Sequence, residues 1–150
     1  MPVAVRKAGW DDEAAVRAIL EEYEDAFDIV QRDGAAAIRA YLDGPGGIWL
    51  ACDADRVAGC VALRRLPSAQ TGGYEVKRLY VRPEYRARRI AGALMDALEA
   101  YARDIGVLAL YLDSRADFQA AIRLYERRGY EHVPRFNDNP EAAVFMRLGL

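Results

Sequence analysis

The chain of 150 residues is 53% hydrophobic and 29% charged, which predicts one globular domain with a sizeable buried core. Its net charge of −2 argues against a nucleic-acid-binding protein, which would carry a basic balance. The chain has no apolar run of about 20 residues and no signal-peptide core, so we expect a cytoplasmic protein without membrane contact. Cys52 and Cys60 are expected to stay reduced on adjoining strands, and with a single histidine they predict no metal site.

The first half of the sequence predicts a strand, two helices and a hairpin of two strands. Asp11 or Asp12 can cap the first helix, whose apolar residues recur at helical spacing as far as Phe27. A glycine-rich segment from Gly44 ends the second helix. The predicted boundaries are 3–7 for the first strand, 34–42 for the second helix, 48–52 and 56–66 for the hairpin, and 67–73 for a loop.

The second half predicts a central strand, a long helix, a buried strand, a further helix and two last strands. Pro83 ends the central strand, and the apolar residues that follow recur at helical spacing from Ile90 onwards. Asp113 or Ser114 is expected to cap the further helix, which Gly129 ends. The predicted strands are 74–81, 107–112, 130–133 and 142–148, with a loop at 134–140.

Positive charge is concentrated where the central strand meets the N-terminus of the long helix. Cations are unfavourable at a helix N-terminus, because unpaired N–H groups already make it partly positive. Such cations make sense if an anion binds there, held by backbone N–H groups and arginine side chains. A solvated basic face is the alternative reading of this charge run. Six cations lie within thirteen residues, against the single acid Glu84: Lys77, Arg78, Arg82, Arg86, Arg88 and Arg89.

The segment Arg86-Ala-Arg-Arg-Ile-Ala91 resembles the acetyl-CoA signature of the GCN5-related N-acetyltransferases, Gln/Arg-x-x-Gly-x-Gly/Ala. Arg89 departs from it, since the family has glycine there to let the backbone approach a pyrophosphate. The resemblance implies a mixed α/β (α+β) fold in which helices flank a central, mostly antiparallel, twisted sheet. The implied element order is β-α-α-β-β-β-α-β-α-β-β, which is also the order predicted above.

The resemblance further implies acetyl-CoA as cosubstrate, without a metal. The pantetheine arm would pair with the backbone of the central strand at Leu79, Tyr80 and Val81. Phe118 stands where many relatives have an asparagine that contacts the cosubstrate. The residues expected to hold the phosphates are Arg86, Ala87, Arg88, Arg89, Ile90, Ala91 and Gly92.

Two residues are candidates for the proton transfers. Glu75 lies in Glu-x-Lys-Arg-Leu-Tyr-Val, which resembles the family segment that often supplies the base. An ion pair at the sheet surface, either with Lys77 or across the strands, is an equal alternative. Spacing alone makes Tyr125 a core residue. However, Ala121-Ile-Arg-Leu-Tyr-Glu-Arg-Arg-Gly-Tyr130 resembles the family segment whose tyrosine hydroxyl protonates the departing thiolate. The resemblance therefore makes Tyr125 the candidate acid.

The acceptor is expected to be the amine of a small molecule, such as an amino acid, and the acetyl group to pass to it directly. Arg78 could bind an acceptor carboxylate. The alternatives are a protein N-terminus or lysine as acceptor, a non-catalytic acyl-CoA sensor, and, least favoured, a nucleic-acid binder. The sequence leaves the oligomeric state open, including a homodimer. The expected acceptor-lining residues are Tyr23, Phe27, Arg78, Phe136 and Asn139.

Overall fold

A seven-stranded sheet is the centre of the computed structural model, which describes residues 2–66 and 73–150. The predicted loop at 67–73 lies outside the described residues, except that Gly73 begins a strand. The strands are β1 (Ala4–Lys7), β2 (Gly47–Asp53), β3 (Arg56–Arg65), β4 (Gly73–Val81), β5 (Ala109–Ser114), β6 (Glu131–His132) and β7 (Val144–Gly149). The helices are α1 (Glu13–Ala26), α2 (Ala35–Asp43), α3 (Ile90–Asp104) and α4 (Gln119–Arg127).

The order of strands across the sheet is β1-β2-β3-β4-β5-β7-β6. Strands β4 and β5 run parallel, and the other five neighbouring pairs are antiparallel. Helix α3 forms the crossover between the two parallel strands. The predicted element order and the mostly antiparallel sheet are thus confirmed.

The two faces of the sheet carry separate hydrophobic cores. On one face, α3 buries Ile90, Leu94 and Leu98 against the sheet, as their helical spacing predicts. On the other face, α1 and α2 contribute a second cluster that includes Ile19 and Ile38. Each helix therefore has a fixed position relative to the middle strands, which carry the candidate site.

A gap opens between the two parallel strands partway along their length. Their pairing covers Gly73–Glu75 of β4 and Ala109–Tyr111 of β5, and the rest of β4 pairs with β3 alone. At Arg78 the pairing with β3 shifts by one residue, and Arg78 has a positive φ of 60°. This β-bulge bends β4 where it leaves β5. The edge of β4 that faces the gap is thus free of strand partners among the described residues.

The predicted start of α4 is wrong. Asp113 and Ser114 do not cap that helix, because both are the last residues of β5. The apolar run that begins at 107 extends as a strand to Ser114, whose carbonyl accepts a hydrogen bond from the Ala143 N–H. Helix α4 begins at Gln119 with Phe118 as its N-cap residue. Asp113 and Ser114 therefore continue the strand that the apolar residues begin, and the helix starts five residues later.

Candidate active site

The turn between β4 and α3 presents a row of unpaired backbone N–H groups. Within the described residues, the N–H groups of 87–92 have no hydrogen-bond partner, and the helical ladder starts with the Ala93 N–H bonded to the Arg89 carbonyl at 3.2 Å. Ala87 and Arg89 have positive φ angles of 64° and 58°. Alternating left-handed and right-handed residues turn successive N–H groups towards one side, which is the geometry of an anion-binding nest. We call residues 86–92 the cradle.

The arginines of the cradle are exposed and face solvent. Arg86 donates to the Val81 carbonyl at 3.2 Å, which holds the turn against the end of β4. The Arg88 guanidinium lies 5.3 Å from the centre of the Tyr85 ring. Arg89 is exposed and forms no ion pair with any described residue. The exposed guanidinium groups of Arg86, Arg88 and Arg89 can therefore reach an anion that binds to the cradle.

A cleft of ≈ 80 Å³ occupies the gap between β4, β5 and α4. Val76, Lys77 and Leu79 of β4 line one wall, and Asp113 at the end of β5 lines another. Tyr125 of α4 closes the cleft on the side of the core. Because β4 runs from this cleft directly into the cradle, a molecule that extends along its free edge would join the two sites.

Tyr125 combines burial with an unpaired hydroxyl group. The residue is 6% exposed and its ring packs 5.6 Å from that of Tyr130. Its hydroxyl group has no hydrogen-bond partner among the described residues, although it belongs to the lining of the cleft. Burial raises the pKa of Tyr125, and the nearby Tyr23 and Asp113 raise it further. The phenol is therefore protonated at neutral pH and free to donate.

Two carboxylates lie on either side of one asparagine. Glu75 is 1% exposed and accepts a hydrogen bond from Arg64 across the β3–β4 pair at 2.9 Å. Asn137 donates to Asp113 at 2.6 Å and reaches Glu75 at 3.5 Å. The predicted alternative for Glu75, a cross-strand ion pair, is thus present, with Arg64 as the partner. Asp113 is the acid that lines the cleft itself.

Four aromatic rings pack in tilted and edge-to-face contacts between α1, β4 and α4. Phe27 packs against Tyr23 at 5.4 Å, against Tyr80 at 6.1 Å and against Phe118 at 4.8 Å between ring centres. The Tyr80 hydroxyl group donates to Glu22 at 2.9 Å, and burial with this bond raises the pKa of Tyr80 to about 12. Of the four rings, Tyr23 and Phe118 reach the cleft. The Tyr80 side chain points away from the cleft and towards Glu22. Only its backbone is therefore available to pair with a pantetheine arm.

Arg78 holds the segment between α1 and α2 against the sheet. Its guanidinium group binds Asp33 at 2.8 Å and donates to the Gln31 carbonyl at 3.0 Å, and it lies 5.7 Å from the centre of the Tyr23 ring. The side chains of Arg78 and Asp33 are 12% and 7% exposed. Arg78 lines the cleft, but its charge is already paired with that of Asp33.

The last two predicted acceptor residues lie apart from each other. Asn139 lines the cleft and reaches Asp113 at 3.4 Å. Phe136 packs between Tyr111 and Phe145, at 5.4 and 5.2 Å between ring centres, and is absent from the lining of the cleft. The loop before β7 therefore contributes Asn137 and Asn139 to the site, while Phe136 anchors the loop.

Sequence reasoning missed several polar residues of this site. The sequence places Lys77 in the basic run and as a possible ion-pair partner of Glu75, Asp113 at a helix cap and Asn137 in the loop at 134–140. The alternation of β4 could have indicated Lys77, since Glu75 and Lys77 share one side of the strand before the bulge at Arg78. No local pattern indicates the Asp33–Arg78 pair, whose members are 45 residues apart.

The described part of the chain has neither a metal-binding cluster nor a membrane-spanning helix. Residues 2–66 and 73–150 hold no group of three or more His, Cys, Asp or Glu side chains that could bind a metal ion. No helix among them combines the length and apolar character needed to cross a bilayer.

Comparison with known proteins identifies relatives over most of the chain. The profile of the acetyltransferase (GNAT) family matches residues 13–130. An uncharacterised N-acetyltransferase of Schizosaccharomyces pombe is 32% identical over 142 residues, which cover 92% of this chain and 86% of that protein. The aminoglycoside N(6′)-acetyltransferase type 1 of Stenotrophomonas maltophilia is 30% identical over 118 residues, which cover 75% of this chain and 72% of that protein.

Solved structures share the fold at lower sequence identity. A GNAT-family acetyltransferase from Staphylococcus aureus Mu50 superposes with a TM-score of 0.83 at 18% identity, covering 98% of each chain. An acetyltransferase from Salmonella typhimurium, solved with its cofactor acetyl-CoA, gives a TM-score of 0.79 at 17% identity and covers 99% of this chain and 94% of its own. The family profile and the 32% identical relative establish that this chain belongs to the acetyltransferase (GNAT) family and is an N-acetyltransferase.

Proposed function

We propose that the protein transfers an acetyl group from acetyl-CoA directly to the amine of a small molecule. The observation that carries this proposal is the splayed gap between β4 and β5, which joins an anion cradle to a cleft with an unpaired phenol. No cysteine lines the cleft, so an acyl-enzyme intermediate has no thiol nucleophile there.

The cradle fits the cosubstrate by its chemistry. Six successive N–H groups without partners, backed by Arg86, Arg88 and Arg89, suit the pyrophosphate of a CoA thioester. Acetyl-CoA would supply the activated acetyl group as a thioester. The free edge of β4 at Leu79 and Val81 offers backbone groups for the amides of the pantetheine arm.

The residues of the cleft can meet the proton demands of the reaction. Tyr125 would donate its phenolic proton to the sulfur that leaves, since its raised pKa keeps the proton on the hydroxyl group until then. A backbone N–H of β4 near Leu79 would stabilise the developing oxyanion. An alkyl ammonium must lose a proton before it attacks, since its pKa is about 10.4. Glu75 and Asp113, joined through Asn137, are the carboxylates that can accept it.

A small acceptor suits the surroundings of the cleft. Ile29 and Gln31 of the segment between α1 and α2 line it, and Arg78 holds that segment in place through Asp33 and the Gln31 carbonyl. The aminoglycoside acetyltransferase among the relatives acts, by its name, on a small amine. This supports a small-molecule acceptor over a protein N-terminus or a lysine side chain.

Thermal unfolding with and without acetyl-CoA tests the donor half of the proposal. Acetyl-CoA at a hundred times its dissociation constant should stabilise the fold by about 2.7 kcal/mol. For a chain of this length, that stabilisation should raise Tm by about 5–10 °C. A nucleic-acid oligomer, as control, should leave Tm unchanged.

Release of the CoA thiol in the presence of an amine panel tests the transfer half. The panel should include polyamines, aminoglycosides, amino acids and lysine peptides. Binding of acetyl-CoA without thiol release on any amine would instead indicate a non-catalytic acyl-CoA sensor.

A further inference from the structure

Lys77 differs from the other cations that line the cleft. Arg78 is paired with Asp33 at 2.8 Å, and Arg115 is paired with Asp117 at 2.8 Å and with Glu141 at 3.7 Å. Lys77 lines the same cleft, yet no described side chain or carbonyl group forms a hydrogen bond or ion pair with it. Among the residues that the structure describes, Lys77 is thus the cation of the cleft whose charge is unpaired.

The two acids whose charges act on Lys77, Glu75 and Asp113, bind other side chains. Glu75 binds Arg64 at 2.9 Å, and Asp113 accepts hydrogen bonds from Asn137 at 2.6 Å and from Asn139 at 3.4 Å. Both acids favour the charged form of Lys77 from a distance, while Arg64 and Arg78 oppose it. Burial outweighs these effects and lowers the pKa of Lys77. A half-buried ammonium group in this position lacks the partner that such groups usually have.

We propose that Lys77 binds a carboxylate group of the acceptor, so that the acceptor is an amine carrying a carboxylate, as in an amino acid. This inference rests on the acetyl transfer proposed above and names the acceptor class for the same cleft. A carboxylate entering the cleft would give the Lys77 ammonium the ion pair that the protein does not supply. Arg78, the residue that the sequence suggested for this role, is held by Asp33 instead.

The remaining charges of the cleft favour a carboxylate over a phosphate. Asp113 also lines the cleft and forms no ion pair with a described residue, whereas Glu141 and Arg115 pair with each other, so a dianionic phosphate would meet one unpaired acid beside the one unpaired cation. A zwitterionic amino acid instead offers its ammonium group to Asp113 and its carboxylate to Lys77. Both charges of the acceptor then have a partner of opposite sign.

The test compares amino acids with their carboxamides as acceptors. Initial rates of CoA thiol release are measured for the twenty amino acids and the matching amides, with the wild type and with Lys77→Met. A charge-assisted hydrogen bond in the cleft should give the wild type a roughly 10- to 100-fold higher kcat/KM for the acid than for its amide. Lys77→Met should remove this preference by lowering kcat/KM for the acid alone, and Lys77→Arg should restore part of it.

Lys7→Met is the matched control, because Lys7 and Lys77 are the two lysines of the chain. Lys7 lies on β1 over the Tyr101 ring, outside the cleft, so this variant should keep the full acid preference. The rise of Tm with acetyl-CoA should persist in Lys77→Met, which shows that the fold and the donor site are intact.

Three outcomes would overturn the assignment of Lys77. They are equal rates on acids and amides in the wild type, an acid preference that survives in Lys77→Met, and activity confined to amines without a carboxylate, such as spermidine. Failure of the proposed function looks different, since thiol release would then be absent on every amine tested.

Discussion

The cradle and the acceptor side of the cleft are built in opposite ways. The cradle is seven consecutive residues whose binding groups are mainly backbone N–H groups. The acceptor side is held by side-chain pairs from distant segments: Arg64–Glu75, Asn137–Asp113 and Arg78–Asp33 are 11, 24 and 45 residues apart. A site made of backbone tolerates side-chain changes, whereas a site made of side-chain pairs changes its specificity when one residue changes.

The departure of Arg89 from the glycine of the family pattern illustrates the first half of this contrast. Arg89 keeps a left-handed φ of 58°, so the backbone path of the cradle is preserved without glycine. Lys77 illustrates the second half, since its charge stays unpaired because Arg64 binds Glu75 and Asn137 binds Asp113. We therefore expect donor binding to survive changes on the acceptor side that alter stability or turnover.

The largest effect should follow from Tyr125→Phe. This change keeps the buried ring and removes the hydroxyl group, so kcat should fall by about 10²- to 10⁴-fold if Tyr125 is the general acid. The rise of Tm with acetyl-CoA should be retained, because Tyr125 forms no hydrogen bond with the cradle. Steady-state kinetics of thiol release and thermal melts measure the two effects.

Tyr111→Phe is the control for this prediction. Tyr111 is a half-buried tyrosine whose hydroxyl group accepts a hydrogen bond from Arg147 at 3.2 Å, outside the cleft. Its loss should leave kcat near the wild-type value. A Tyr125→Phe enzyme with full kcat would remove Tyr125 from the acid role and leave it as a core residue.

A second effect should follow from Arg78→Met, which breaks the ion pair that joins the α1–α2 segment to the bulge of β4. Asp33, 7% exposed, would keep a buried charge without its partner. The free energy of unfolding should fall by about 3–5 kcal/mol. Urea unfolding measures this loss, and the variant should still gain stability from acetyl-CoA.

Arg17→Met provides the comparison for an exposed pair. Arg17 and Glu13 form an ion pair on the surface of α1, with side chains 41% and 46% exposed. A pair of this kind contributes only about 0.3–0.5 kcal/mol. Equal losses in the two variants would show that the Arg78–Asp33 pair does not hold the α1–α2 segment.

The sequence predicts most of the fold but only part of the candidate site. Hydrophobic periodicity locates elements such as α3, because its buried face repeats every turn. The cradle is recognisable because a local basic run at a helix N-terminus is an anomaly in itself. The Arg78–Asp33 pair follows from the way α1 and α2 pack on the sheet, and no short sequence pattern encodes that packing. For the same reason, no sequence pattern indicates that the charge of Lys77 is unpaired, because this depends on the contacts that Glu75 and Asp113 make with other side chains.

The smallest effect should come from Arg89→Gly, and it tests whether the cradle depends on its backbone. A left-handed conformation is unfavourable for residues other than glycine, so the change should raise the free energy of unfolding by about 1 kcal/mol. Arg88→Gly is the matched control, because Arg88 is not among the residues with a positive φ. There, glycine only makes the unfolded chain more flexible and should lower stability by about 0.4–1 kcal/mol. Each variant loses one exposed cation, so both should bind acetyl-CoA more weakly to a similar degree while their Tm values move in opposite directions. A fall of Tm in both would mean that the cradle stores no backbone strain at Arg89.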